Sequence, residues 1–432
     1  MKRLGWLLLG ALLMAGVLVA VGFGMVLSVD RGVRGPAPPA GVKASYPWGA
    51  MDLDELQTDP QSGLQRSIAD SIRAERPETF DRDQDGIREY DLLALSGGGS
   101  SGAFGAGFLC GWTKSGTRPD FKVVTGVSTG CLQATFAFLG PDYDDELKAV
   151  YTEVETEDIH VKRDLLAGIF NDALRDTAPL KRLIDRYMTR GTLEAVAAKH
   201  AAGHRLFVGT TNMDTGDFVV WDMGAIASSG RPDALEHYRR VLLASTSIPV
   251  LFPPVYFEVE ANGRTYHEMH ADGSTYTQVF FRGFLLDFDD AFDDAGIDES
   301  KIDFDIYVLR NGKEFEGDGR EEVGPRTLSI AQATIENLFR ITISTGLYRI
   351  YVLANRYGID FNLAQVPADY PHELDAVEFD REEMGRLFKL GYDLAAQGYE
   401  WSHAPADLDP DEIFRKDTDA LAGAAQLAEA RR

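Results

Sequence analysis

LLALSGGGSSGAFGAGFLCGW (Leu92–Trp112) is followed, after nine residues, by KVVTGVSTG (Lys122–Gly130), and these two stretches decide the fold. In the first, the apolar run Leu92-Leu93-Ala94-Leu95 opens directly into Gly97-Gly98-Gly99-Ser100-Ser101-Gly102. In the second, Val123-Val124 opens into Gly126-Val127-Ser128-Thr129-Gly130. An apolar strand that runs into glycines and then a helix is the unit of an α/β protein. The second stretch reads G-x-S-x-G, a strand-to-helix elbow that holds a serine Oγ out of a strained turn. The first offers backbone N–H groups at a helix N-terminus, a setting that suits a developing oxyanion.

Either motif alone is weak. G-x-G-x-x-G after a strand is also the dinucleotide fingerprint, which wants an acidic residue about 20 positions on, at the end of the next strand. Asp120 is near that spacing but precedes the strand, and the strand ends instead in Gly126–Gly130. Two glycine motifs at successive strand-to-helix junctions point to nucleophilic chemistry at a carbonyl.

At these residues the chain resembles the patatin-like phospholipase family. That family pairs a G-x-G-x-x-G oxyanion loop with a G-x-S-x-G elbow and, much later, an Asp-Gly dipeptide. Here these are Gly97–Gly102, Gly126–Gly130 and Asp272-Gly273, and Ala244-Ser245-Thr246-Ser247-Ile248-Pro249 resembles the family's segment ahead of the aspartate. The resemblance covers roughly Leu92–Asn311. It implies a three-layer α/β/α fold with a central, mostly parallel sheet. It also implies lipid ester hydrolysis through an acyl-enzyme, with Ser128 as nucleophile, Asp272 as its base, and the amides of Gly97, Gly98, Gly99 and Ser100 as oxyanion donors. No cofactor and no metal are implied. Two positions depart from the family: Ser101 stands where Arg or Lys is common, which removes a positive charge, and Ser274 follows Asp272-Gly273 in place of Gly or Ala.

The base has a competitor. In a histidine triad, an imidazole would accept the serine's proton. Only His372 and His403 follow Asp272, and neither carries a local signature. His267 and His270 precede Asp272 closely, along a strand on which His270 and Asp272 share a face. Thr342-Ile343-Ser344-Thr345-Gly346 imitates the elbow without its first glycine, inside a helical pattern, and receives no role.

The charge balance is acidic, with 68 Asp and Glu against 43 Lys and Arg, a formal −25. That excludes nucleic acid as a partner and opposes electrostatic docking on anionic bilayers. Cys110 and Cys131 read as two buried free thiols. Leu4–Val29 is 26 residues without a charge, about 39 Å as a helix, enough to span a bilayer. It reads as a retained single-pass anchor rather than a cleaved signal, with the catalytic part outside the cytoplasm, periplasmic in a Gram-negative cell. Residues 1–34 are thus expected to be the anchor, 35–91 a proline-stiffened linker and polar extension, 92–311 the catalytic domain, and 312–432 a helical extension packed on it. Asp81-x-Asp83-x-Asp85-Gly86 imitates the start of a calcium loop but lacks its closing Glu, and reads as a solvated turn.

Within the catalytic domain, Arg205–Thr211 and Asp217–Trp221 read as paired strands, Ala234–Ser245 as a helix, and Val255–Val259 with Thr265–His270 as a hairpin around Ala261-Asn262-Gly263. Ile302–Leu309 reads as a later strand. Leu328–Tyr357 and Asp380–Gln397 read as packing helices rather than lipid-binding surfaces. Two other functions fit the same residues: an acyltransferase using the same dyad, and a silent membrane-tethered scaffold.

Overall fold

The computed structural model describes most of residues 35–408. Residues 1–34 (Met14 aside), 43, 47–49, 53–62, 76–79, 82–84, 164–171, 282–291, 293–297, 299–300, 314–322, 372–375, 407 and 409–432 lie outside the described residues. The expected anchor Leu4–Val29 falls among them. No helix among the described residues is long and apolar enough to cross a membrane.

In chain order the strands are β1 (Ala50–Asp52), β2 (Arg88–Leu95), β3 (Val123–Val127), β4 (Val161–Lys162), β5 (Arg175–Asp176), β6 (Arg205–Asn212), β7 (Phe218–Asp222), β8 (Val255–Ala261), β9 (Arg264–Asp272), β10 (Ile302–Lys313) and β11 (Asp360–Val366). The main helices are α1 (Gly63–Ala74), α2 (Gly102–Ser115), α3 (Thr129–Leu139), α4 (Asp144–Thr152), α5 (Ala178–Tyr187), α6 (Arg190–Ala201), α7 (Ala234–Ser245), α8 (Thr327–Tyr357) and α9 (Arg381–Ala396).

Among the described residues one nine-stranded sheet runs β1-β7-β6-β3-β2-β10-β11, with the β8–β9 hairpin attached through β6. β6, β3, β2, β10 and β11 are mutually parallel, while β7, β1 and β9 join antiparallel. Parallel strands carry helices on both faces, so their residues are buried on both sides and read as continuous apolar runs. Alternation divides them: Leu93 and Leu95 of β2 face one core with α2, α3, α7 and α9, and Leu92 and Ala94 face the other with α1 and α8. Helices thus cover both faces, as the resemblance implies.

Two boundaries need correction. The C-terminal segment is more than a helical extension, because β11 continues the central sheet beside β10 and α9 packs on α2. That packing is close: a Cβ on Gly107 would lie 1.9 Å from Phe388 O and one on Gly111 2.2 Å from Tyr392 O. The polar extension is also integral. β1 pairs with β7, and Glu75, after α1, accepts from the buried Lys122 Nζ at 2.7 Å and from Tyr90 and Arg88. A buried ammonium without that carboxylate would be strongly unfavourable, so this acidic residue is fixed where α1 meets the sheet.

Candidate active site

β2 and β3 end side by side, Leu95 opposite Gly126, so the glycine-rich loop and the elbow emerge together at the carboxyl edge of the sheet. Ser128 sits between β3 and α3 with φ 54° and ψ −128°, a backbone conformation that costs a non-glycine residue of order 1–3 kcal/mol. Neighbours hold it there. Its N–H donates to Ser245 Oγ at 3.0 Å, and Ser245 Oγ donates to Gly209 O at 2.7 Å. Gly130 must lack a side chain because a Cβ would lie 2.4 Å from Leu95 O.

β9 brings Asp272 to the same edge. Ser128 Oγ donates to Asp272 Oδ2 at 2.6 Å. The other carboxylate oxygen, Oδ1, accepts from Ser274 N at 2.8 Å. The Asp272 N–H donates to Ser247 O at 2.8 Å, and its carbonyl accepts from Thr211 Oγ1 at 3.0 Å. Asp272 is fully buried, while Ser128 retains 6% exposure. Burial raises the Asp272 carboxyl to about 6, against the opposing pull of its hydrogen bonds from Ser128 and Ser274. The result is a desolvated carboxylate of raised basicity in contact with a strained serine.

His270 and His403 lie elsewhere. His270 Nδ1 meets Thr210 Oγ1 at 2.9 Å, its Nε2 faces Tyr46 and Glu268, and burial pushes its pKa down. His403 Nδ1 lies 3.1 Å from Phe361 O beside β11. His372 is outside the described residues. Ser344 is an internal residue of α8 whose Oγ donates to Arg340 O at 3.2 Å.

The four amides expected at the oxyanion site divide. Gly97 N–H donates to Gln278 O at 3.0 Å and Ser100 N–H to Ala376 O at 3.2 Å, so both are engaged. Gly98 (φ 153°) and Gly99 (φ 56°) turn the chain between them. Their N–H groups make no hydrogen bond among the described residues. The loop is tightly backed, since a Cβ on Gly98 would lie 2.0 Å from Asn311 O and one on Gly99 1.8 Å from Ala376 O. Asn311 donates from its backbone to Ser96 Oγ and from Nδ2 to Ser96 O and Gln133 Oε1, at 2.7–2.9 Å. Thr129 supplies a further donor, because as the first residue of α3 its N–H has no intrahelical acceptor.

Ser128, Thr129 and Gly99 line a pocket that opens to solvent, whose other walls include Leu132, Val150, Leu183, Ile248, Phe252 and Phe379. The lining is almost wholly apolar. Ser245, Asn311 and Gln133 position the elbow and the loop, Thr129 offers an N–H of its own, and the sequence alone assigned none of the four a role. For Thr129 a signal existed, since the residue after an elbow serine supplies an oxyanion amide in hydrolases of that type.

The family model described as patatin-like phospholipase matches residues 93–285, a span that holds the oxyanion loop, the elbow and Asp272-Gly273. Residues 93–285 are a patatin-like phospholipase domain. Three solved structures are similar to this chain. VipD from Legionella pneumophila is 13% identical, with 71% of this chain and 66% of VipD covered and a TM-score of 0.36. Human GIVD cytosolic phospholipase A2 is 10% identical, with 84% and 67% covered and a TM-score of 0.32. A chain from the complex of full-length SpcU with full-length ExoU, of the Pseudomonas aeruginosa type III secretion system, is 14% identical, with 79% and 61% covered and a TM-score of 0.24. The chain therefore spans about two-thirds of the length of VipD and of the human enzyme, and less of the third. No curated protein matches it.

Proposed function

We propose that this protein is a lipid acyl hydrolase that cleaves carboxylic esters with a Ser128–Asp272 dyad. The observation that carries the reading is the 2.6 Å hydrogen bond from Ser128 Oγ to a fully buried Asp272 Oδ2, on the wall of an apolar cavity. Ser128 Oγ attacks the acyl carbon as its proton passes to Asp272. The carbonyl π pair moves onto oxygen, and the Gly98, Gly99 and Thr129 amides receive that charge. Collapse expels the alcohol, which takes the proton from Asp272. Water then gives a proton to Asp272 and attacks the acyl-enzyme, and on collapse the departing Ser128 Oγ takes that proton from Asp272 as the fatty acid is released. A carboxylate at about 6 is a stronger base than an exposed aspartate and remains ionised at neutral pH.

The cavity suits the hydrocarbon part of an acyl chain, whose transfer from water is favourable by about 0.8 kcal/mol per methylene. Leu4–Val29 supports a further proposal, that the catalytic part is tethered to a membrane and faces away from the cytoplasm. A panel of phospholipids, lysophospholipids and neutral glycerides, with products resolved by mass spectrometry, tests the reading. Fatty acid released into water is expected. Acyl groups recovered only on a second alcohol would instead indicate a transferase, and no turnover with any lipid ester would indicate a scaffold.

A further inference from the structure

α8 runs antiparallel to the parallel strands, from the carboxyl edge of β10 to the amino edge of β11. It reaches the level of the active site at Thr342, whose Oγ1 donates to Ser274 O at 3.2 Å. Beyond that point it packs on the sheet, with Ile343, Leu347, Ile350, Tyr351 and Ala354 buried. Before it, from Ser329 to Ile341, no described side chain is buried. The first half of the helix, about 22 Å at 1.5 Å per residue, therefore projects past the edge that carries Ser128 and Asp272. Its outer side is apolar: Ile330 is 53% exposed, Leu338 39% and Ile341 63%. At 100° per residue these three fall within roughly 80° of arc, with the uncharged Thr334 between them. In a chain of net charge −25, residues 327–335 carry no charge at all.

We propose that this projecting half of α8 is a docking arm for a zwitterionic lipid surface, which seats the carboxyl edge of the sheet against the layer that holds the substrate. The inference rests on the acyl-hydrolase reading above, because a substrate that resides in a lipid layer is what brings that edge to such a surface. An apolar, uncharged stripe at the site's own edge fits the boundary between head groups and acyl chains. The acidic remainder of the protein disfavours anionic bilayers, and an apolar stripe docks with little dependence on salt.

The test places an environment-sensitive nitrobenzoxadiazole label on the full chain at Ile341→Cys in a Cys110→Ala background, with Lys389→Cys on α9, across the sheet, as the control. With phosphatidylcholine vesicles, the label at position 341 is expected to shift to the blue and to be quenched by brominated lipid, and the label at 389 to do neither. Ile330→Asp with Ile341→Asp is expected to lower turnover of vesicle phosphatidylcholine by about tenfold or more and to leave turnover of a soluble short-chain ester unchanged. A label at 341 that stays in water overturns the proposal, as does native vesicle turnover in the double variant. A lipid-free dimer that the two aspartates dissociate would assign the stripe to a second copy of the chain. A native protein that turns over neither ester would sink the hydrolase reading, and the label at 341 would still report whether the arm enters lipid.

Discussion

Ser128 and Asp272 are joined directly, Oγ to Oδ2 at 2.6 Å across 144 residues of sequence, with no imidazole between them. The carboxylate's other oxygen is held by Ser274 N, and the serine's backbone is held by Ser245. In the proposed mechanism, proton transfer is a single step between these two fixed groups.

Asp272→Asn keeps the shape and removes the base. Turnover is expected to fall by several orders of magnitude, comparable to loss of the serine itself. Stability should move the other way. Burial raises the carboxyl from 3.8 to about 6, so between those values the native state holds a proton that the unfolded chain has lost. The stability this group contributes is complete below about 3.8 and is lost as pH rises through about 6. At neutral pH the asparagine variant should therefore unfold at a temperature equal to or above that of the native protein, with a gain of up to roughly 3 kcal/mol. A clear drop in melting temperature together with retained activity would oppose both parts.

The same value sets the acid limb of the pH profile. Activity as kcat/KM should rise with a midpoint near 6 as Asp272 ionises. A carboxylate raised by burial thus falls close to an ordinary imidazole, so the midpoint does not by itself separate a dyad from a triad. Substitutions do. His270→Gln and His403→Gln should leave the midpoint in place and retain most activity, because their rings face Thr210, Tyr46 and Phe361 O and not Ser128. A histidine variant that folds, loses activity and abolishes the acid limb would identify an imidazole base.

Gly98→Ala and Gly99→Ala test the oxyanion loop. Each added methyl would meet a backbone carbonyl, Asn311 O or Ala376 O, at 2.0 Å or less, from a backbone with positive φ. Rate losses of about 10²–10³ are expected for a displaced donor. Stability should fall as well, because the colliding atoms are backbone. Kinetics and thermal melts on the same samples check this, and a native rate from either variant would reduce the loop to a turn.

Ser245→Ala removes the acceptor of the Ser128 N–H and the donor to Gly209 O. Buried partners left unpaired cost about 1–3 kcal/mol, and the elbow loses the contact that holds its positive φ. Both melting temperature and kcat are expected to drop, with KM little changed. Unchanged kcat would mean that the strained backbone is held by α3 and β3 alone.

The motifs of the candidate site were legible in the sequence because they are local. An elbow serine, a glycine loop and an Asp-Gly turn each announce themselves within a few residues, and the β8–β9 hairpin did so through Asn262-Gly263, both at positive φ. What was not legible depends on distant partners. β11 is seven residues long and finds its register only against β10, so no local pattern distinguishes it from a connection between helices. Ser100 looked like an oxyanion donor until Ala376, far along the chain, supplied a carbonyl for its amide. The apolar spacing of α8 predicted a packing helix throughout, whereas from Ser329 to Ile341 no described side chain is buried. Periodicity finds an apolar face and does not say what covers it.

The most direct measurement is peptide mapping by mass spectrometry after reaction with a fluorophosphonate, on the native chain and on the Ser128→Ala, Asp272→Asn and His270→Gln variants. One adduct is expected on Ser128, none after Ser128→Ala, severely slowed labelling in Asp272→Asn and near-native labelling in His270→Gln. An adduct on Ser245, Ser247 or Ser344, or native-rate labelling of Asp272→Asn, would contradict the Ser128–Asp272 dyad.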